Sequence, residues 1–389
     1  MRNQTTRRDV LRSGLAVAGL SFYGIPEWIL PVLAQDEIVV PFTDIPENFG
    51  SGALGPTRRV LDIRTIREAL TSKDDFYTIQ HFDKPDINPD TFRLKVNGLV
   101  ERPAELSLAQ IRDMGNEELV AGYECSGNSP RMMQGLASNG RWTGVPLQAL
   151  LNHVGVQATA REFVFFGADH GEENVDFRGT SYTVDQPFGR SLPRTDALSP
   201  EPFLAYALNG EPLTREQGFP LRLVVPGWYG VCNVKWLTHV RAQEERFLGK
   251  WQARWYRTLW AEEIDGKISH HETEVGRMRV KSVIARVTQL NDRYTVHGFV
   301  LNDGTPLRSV EIRVNNGSWQ SATLDSATTD KYSWKLFKYE WDGVTPGEHT
   351  LVSRAIDADG TVQPSAEALE FKQTGLENNA QFPRTVMVS

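Results

Sequence analysis

The chain has 389 residues, of which 40% are apolar and 23% charged, with 42 Lys and Arg against 49 Asp and Glu for a formal net charge of −7 at pH 7. That length accommodates two or three domains, and the composition supports packed cores rather than disorder or a coiled coil. The acidic balance argues against a nucleic-acid partner, which needs clustered Lys and Arg, while leaving room for a local basic pocket.

In chain order, Thr6-Arg7-Arg8-Asp9-Val10-Leu11-Arg12 precedes an apolar run from Gly14 to Leu33, interrupted by Pro26 and Glu27. This resembles a twin-arginine export signal over residues 1–34, cleaved after Ala34, and the interruption makes a spanning anchor a poor alternative. The expected location is therefore the periplasm or another exported compartment. Residues 35–75 are mixed and contain Pro and Gly, as in an arm that wraps a domain. From 76 to 265 short strands and helices alternate. Residues 92–96 have period two and end at Asn97-Gly98, a strand and turn. Residues 106–114 predict a short helix, and 119–123 a strand leading into Glu124-Cys125. Residues 145–154 predict a helix with Leu147, Leu150 and Leu151 on one face, stopped by Gly155. Residues 162–166 and 221–225 read as buried strands that end in Gly- or Pro-containing turns. The polar stretch 266–277 reads as a linker. Beyond it Tyr294, Val296, Gly298 and Val300 alternate, as do Val310, Ile312 and Val314 before the turn Asn315-Asn316-Gly317. Residues 278–389 thus predict an immunoglobulin-like β-sandwich, lacking the internal disulfide of antibody domains. The predicted fold class is α+β, a mixed α/β domain followed by that sandwich.

Two cysteines exist, Cys125 and Cys232. In an oxidising compartment a pair first suggests one disulfide. There is no Cys-x-x-Cys-His haem motif and no zinc-like spacing. The segment Tyr123-Glu124-Cys125-Ser126-Gly127-Asn128-Ser129 sets a cysteine at a strand end among small residues, where Gly127 allows close backbone approach by a large ligand. A soft thiolate there suits a heavy transition metal. On these residues alone a reactive or disulfide-bonded cysteine fits equally well.

Glu124-Cys125-Ser126-Gly127-Asn128 resembles the molybdenum-ligand motif of sulfite oxidases and bacterial sulfane dehydrogenases. So do Arg141-Trp142-Thr143-Gly144-Val145-Pro146-Leu147, Leu204-Ala205-Tyr206-Ala207-Leu208-Asn209-Gly210, Gln217-Gly218-Phe219-Pro220-Leu221-Arg222 and Asn233-Val234-Lys235-Trp236, in matching order over about residues 76–389. The resemblance implies a molybdenum–molybdopterin cofactor, a pyranopterin dithiolene whose metal is held by Cys125, and a C-terminal dimerisation domain that makes a homodimer. It implies that His81, Asp169, Gln217, Arg222, Asn233 and Lys235 hold the organic part, and that Tyr256 stands beside the metal. Gln217 and Asn233 replace histidines of the sulfite oxidase pattern, which leaves Arg222 and Lys235 as the main cations for the cofactor phosphate. Cys232 is then expected to be free.

At the substrate pocket the chain departs from the pattern. Ile79 stands where an arginine is expected, Arg131 is present but displaced after the cysteine motif, and near the C-terminus Lys372 is the nearest cation. The resemblance implies oxidation of an inorganic sulfur compound, sulfite to sulfate by default, with water as oxygen source. With no haem motif in the chain, electrons are expected to pass to a separate acceptor, most simply a c-type cytochrome. The rival enzymes are a sulfane-sulfur dehydrogenase and a periplasmic sulfoxide or N-oxide reductase. The rival from another class is an exported binding module.

Overall fold

The computed structural model describes residues 37–45, 58–326 and 328–389, so the expected export signal lies outside the described residues. The chain is mostly sheet. Among the described residues the α-helices are short: α1 (Leu108–Arg112), α2 (Leu147–Val154) and α3 (Arg194–Ala197). The expected α+β character is only loosely met, because several polar stretches continue as strands.

Two sheets build the first unit. One runs in the order Ala104–Leu106, Leu94–Gly98, Leu237–Gln243, Glu162–Phe177, Thr180–Pro193. Its pairing of Leu94–Gly98 with Leu237–Gln243 is parallel and the others are antiparallel. The other runs Glu211–Pro212, Phe203–Leu208, Ala137–Pro146, Glu117–Glu124, with Arg222–Val224 also paired to Phe203–Leu208. Trp142, Phe163, Phe165, Leu204 and Leu223 are fully buried in their common core. Helix α1 starts as a capping box: the Ser107 hydroxyl accepts from Gln110 N, and the Gln110 side chain accepts from Ser107 N. Helix α2 buries Leu147, Leu150, Leu151 and Val154 and stops at Gly155, as its apolar stripe predicts. Each of those buried side chains contributes about 1.5–3 kcal/mol of transfer free energy.

The second unit pairs a sheet Ile38–Val40, Lys281–Leu290, Arg293–Leu301, Lys335–Trp341, Thr323–Leu324 with a sheet Gln320–Ser321, Leu307–Val314, Gly347–Asp357, Arg384–Val388. Val287, Val296, Ile312, Leu351 and Val386 fill the space between them. The N-terminal arm covers the opposite face of the first sheet. Leu61, Ile63, Ile66 and Ala69 pack against Val283, Ala285, Phe299, Leu301, Trp334 and Leu336. With both faces covered, the first eight residues of Lys281–Leu290 are all buried.

The polar stretch expected to be a linker is instead one arm of a hairpin, Arg257–Ile264 paired with Lys267–Glu274. Asp265 (φ 51°) and Gly266 (φ 74°) form its tip. Two consecutive left-handed residues match the strand twist, and Asp-Gly adopts that pair with little strain.

Candidate active site

Cys125 follows directly on the strand Glu117–Glu124. Its N–H donates to Leu136 O at 2.8 Å. Asn128 staples the loop that returns to the sheet: its Nδ2 donates to Glu124 Oε2 (3.0 Å) and Gln134 O (2.8 Å), and its Oδ1 accepts from Leu136 N (3.0 Å). The sulfur is thereby fixed in the wall of a cleft. Burial pushes the Cys125 thiol up, partly offset by a hydrogen bond from the Gly127 backbone.

The same cleft is lined by Ile79, Gln80, His81, Asp169, Gln217, Arg222, Asn233, Lys235 and Tyr256. Arg222 is 4% exposed, donates to Gln217 O (2.9 Å) and Asn233 O (3.2 Å), and lies 4.9 Å over Trp142. Lys235 donates to Glu216 O at 3.0 Å. Neither cation forms an ion pair with a carboxylate of the described residues. Withdrawal of the Lys235 ammonium from water, with repulsion from Arg222, brings it down to about 7. Desolvation raises Asp169 to about 6 against the pull of Lys235. Asp169 Oδ1, Gln80 Oε1 and Arg222 Nε are buried without a protein partner.

Gln217 and Asn233 sit at the cleft with their amides already engaged. Gln217 Oε1 accepts from Thr214 N (3.0 Å) and its Nε2 donates to Lys73 O (3.0 Å). Asn233 Oδ1 accepts from Val225 N (2.8 Å) and its Nδ2 donates to Tyr229 O (3.1 Å). They shape the walls by tying loops together. Gly218 (φ 102°) completes that packing, since a Cβ there would stand 2.8 Å from Lys235 Cβ.

On the opposite side His81 Nε2 and the Tyr256 hydroxyl share a hydrogen bond of 2.7 Å. Burial lowers His81 to about 4 and pushes the Tyr256 phenol well above its usual value. At neutral pH the imidazole is neutral and the phenol keeps its proton. The His81 ring rests on Trp251, with centroids 4.0 Å apart.

Arg131, expected at the site, is exposed on the turn Pro130–Met132 and does not line the cleft. Lys372 also lies outside the lining and donates to Thr374 O. Both cysteines are free. Cys232 lies behind the wall, where its sulfur accepts from Arg190 Nη2 at 3.2 Å. Sequence reasoning missed Gln80, Tyr77 and Tyr123 as lining residues. Their signal was their place in the runs Tyr77-Thr78-Ile79-Gln80-His81 and Tyr123-Glu124-Cys125.

Residues 81–251 match the model of a family described as an oxidoreductase molybdopterin-binding domain. Human mitochondrial sulfite oxidase is 30% identical over 350 residues, covering 82% of this chain and 62% of that protein. Those residues form a molybdopterin-binding oxidoreductase domain, and the chain as a whole is similar to sulfite oxidases. It spans about three fifths of the length of that human relative, and 87% of the sulfite oxidase of Arabidopsis thaliana, to which it is 24% identical over 351 residues. The solved sulfane dehydrogenase SoxCD from Paracoccus pantotrophus shares its fold, with a TM-score of 0.71, 24% identity and coverage of 86% of this chain and 88% of that one.

The residues present fit the family's cofactor. Among the residues that line the cleft, Cys125 is the one soft metal ligand. Two cations without carboxylate partners suit a phosphate, and the orphaned atoms of Asp169, Gln80 and Arg222 suit a heterocycle rich in donors and acceptors.

Proposed function

We propose that this chain holds a pyranopterin-bound molybdenum through Cys125 and oxidises an inorganic sulfur compound, sulfite by default, with water as the oxygen source. One observation carries the reading: the Cys125 thiol opens into the same cleft as Arg222 and Lys235, cations with no carboxylate partner there. The bound group would supply two-electron oxygen-atom transfer. Arg222 and Lys235 would neutralise its phosphate, while Asp169 and Gln80 would meet its ring. Tyr256, protonated and hydrogen-bonded to neutral His81, would hold a proton at its phenol oxygen beside the reacting centre. Two electrons would leave to a separate protein, a c-type cytochrome. We further propose export by the twin-arginine route to the periplasm, and a homodimer formed through the C-terminal unit as an immunoglobulin-like domain.

Ile79 in the cleft wall favours a second reading, in which sulfane sulfur or another neutral sulfur compound is the substrate. Metal analysis of the purified protein, followed by sulfite, thiosulfate and a sulfoxide assayed with cytochrome c or a reduced dye, tests both. Molybdenum with sulfite-dependent cytochrome reduction supports the first reading. Molybdenum with turnover of the other compounds alone supports the second, and absence of molybdenum from protein made in a molybdenum-replete host overturns both.

A further inference from the structure

The arm brings a cation beside Ile79, a residue of the cleft wall. Arg58 and Arg59 form a short strand antiparallel to Thr78–Ile79, with Arg58 directly opposite Ile79. Side chains directly opposite in such a pair stand on the same face, with Cβ atoms about 4.5–5.5 Å apart. Ile79 lines the Cys125 cleft, so Arg58 projects beside it. The Arg58 side chain is exposed and makes no hydrogen bond or ion pair to another described residue. Its guanidinium is therefore free to meet something that arrives from solvent.

We propose that Arg58, carried in by the N-terminal arm, receives the anionic end of the substrate at the mouth of the Cys125 cleft. The inference rests on the reading of this cleft as a sulfur-oxidising site and names the residue that sets its selectivity for anions. A supporting observation comes from the groups around the mouth. Burial dominates the proton affinities of His81 and Tyr256, and the charge of Arg58 also acts on both, favouring loss of a proton. Arg58, Arg131 and Lys372 all lie outside the cleft lining, and of the three only Arg58 is strand-paired with a lining residue, Ile79.

The test uses the molybdenum-loaded full chain in four forms: wild type, Arg58→Ala, Arg58→Lys, and Arg58→Ala combined with Ile79→Arg. Two quantities are read: steady-state kinetics with sulfite, and inhibition or equilibrium binding of sulfate, an unreactive dianion. Arg58→Ala should raise the sulfite KM and weaken sulfate binding by about tenfold to a hundredfold with little change in kcat, the worth of one charge-assisted hydrogen bond. Arg58→Lys should recover part of the loss. The double variant should recover it as well, because residue 79 starts from the same face. Since Arg58 is exposed, a merely structural role would instead appear as a shared fall in kcat and in unfolding midpoint. Unchanged KM and sulfate affinity in a folded Arg58→Ala protein overturns the inference and leaves the proposed activity standing. Arg58-dependent sulfate binding without sulfite turnover in the wild type sustains the anion site and overturns the sulfite reading. A wild type that binds neither anion overturns the inference.

Discussion

Lys281 donates to Glu124 at 2.9 Å, and both side chains are 2% exposed. The pair joins the strand Lys281–Leu290 of the second unit to the residue immediately before Cys125. Glu124 Oε2 also accepts from Asn128, so the carboxylate ties together the second unit, the cysteine strand and the loop after it. Breaking a buried pair from one side leaves an uncompensated charge, which costs about 3–5 kcal/mol. Lys281→Met should therefore lower unfolding stability by about that amount in chemical denaturation. Glu124→Gln combined with Lys281→Met should cost less than Lys281→Met alone. Equal losses in the two proteins would mean that packing, not charge, explains the site.

Cys125→Ser should give a folded chain with little or no turnover. A hydroxyl occupies the same space but is a poor ligand for a soft metal. The thiolate-to-metal absorption band should disappear while the unfolding midpoint of the metal-free protein stays close to wild type. Counting thiols on denatured wild type should find both cysteines reduced, as the structure has them. A Cys125–Cys232 bridge in active protein would contradict the metal assignment.

Lys235 supplies a pH dependence. Its folded value of about 7 lies below the ordinary 10.5, so the unfolded chain holds this proton to higher pH than the folded one. The cofactor-free chain should therefore gain stability from Lys235 as pH rises from about 7 toward 10.5. Anion binding runs the other way, because the ammonium is charged only below about 7. Asp169, which becomes a carboxylate above about 6, adds to that trend. Calorimetry of sulfate binding to cofactor-free protein should show affinity falling between pH 6 and 8, with proton uptake on binding. Lys235→Met should flatten the profile, and a wild-type affinity independent of pH would remove Lys235 from the phosphate role.

Gly218→Ala should destabilise the chain by about 1–3 kcal/mol, since the substitution meets both a left-handed backbone and the Lys235 side chain. The loop carrying Gln217 would be displaced from Lys235, so metal content after purification should fall as well. A stable, fully loaded Gly218→Ala protein would show that the loop has room the structure does not.

Much of this was legible in the sequence where local pattern and tertiary role agree. The stripe in α2 and the strand before Cys125 both follow from periodicity and end signals. Residues 267–274 did not read as a strand because they are exposed throughout, so no apolar alternation marks them. The usable signal was the Asp265-Gly266 turn between Ile264 and Lys267. The far half of Glu162–Phe177 was missed for the same reason, since its exposed polar residues follow an apolar start. At the site, motif position brought His81, Asp169, Arg222, Lys235 and Tyr256 to one cleft. It did not reveal that the amides of Gln217 and Asn233 are engaged by the backbone. Nor did it place Arg58 beside Ile79, since a pairing between chain segments twenty residues apart leaves no local pattern.

The arm has one more consequence. It lends Ile38–Val40 to the edge of the second unit's sheet, buries Leu61, Ile63, Ile66 and Ala69 against that sheet's outer face, and then pairs Arg58–Arg59 with the rim of the cleft. Gly122 N also donates to Tyr332 O across the units at 2.9 Å. Neither half can come apart while the other stays whole, because each shares a layer of side chains with the same strap. Heating should then melt the molecule in one step, with a calorimetric enthalpy equal to the van't Hoff value. A single nick in the arm should split that step into two and open the cleft at the lower temperature.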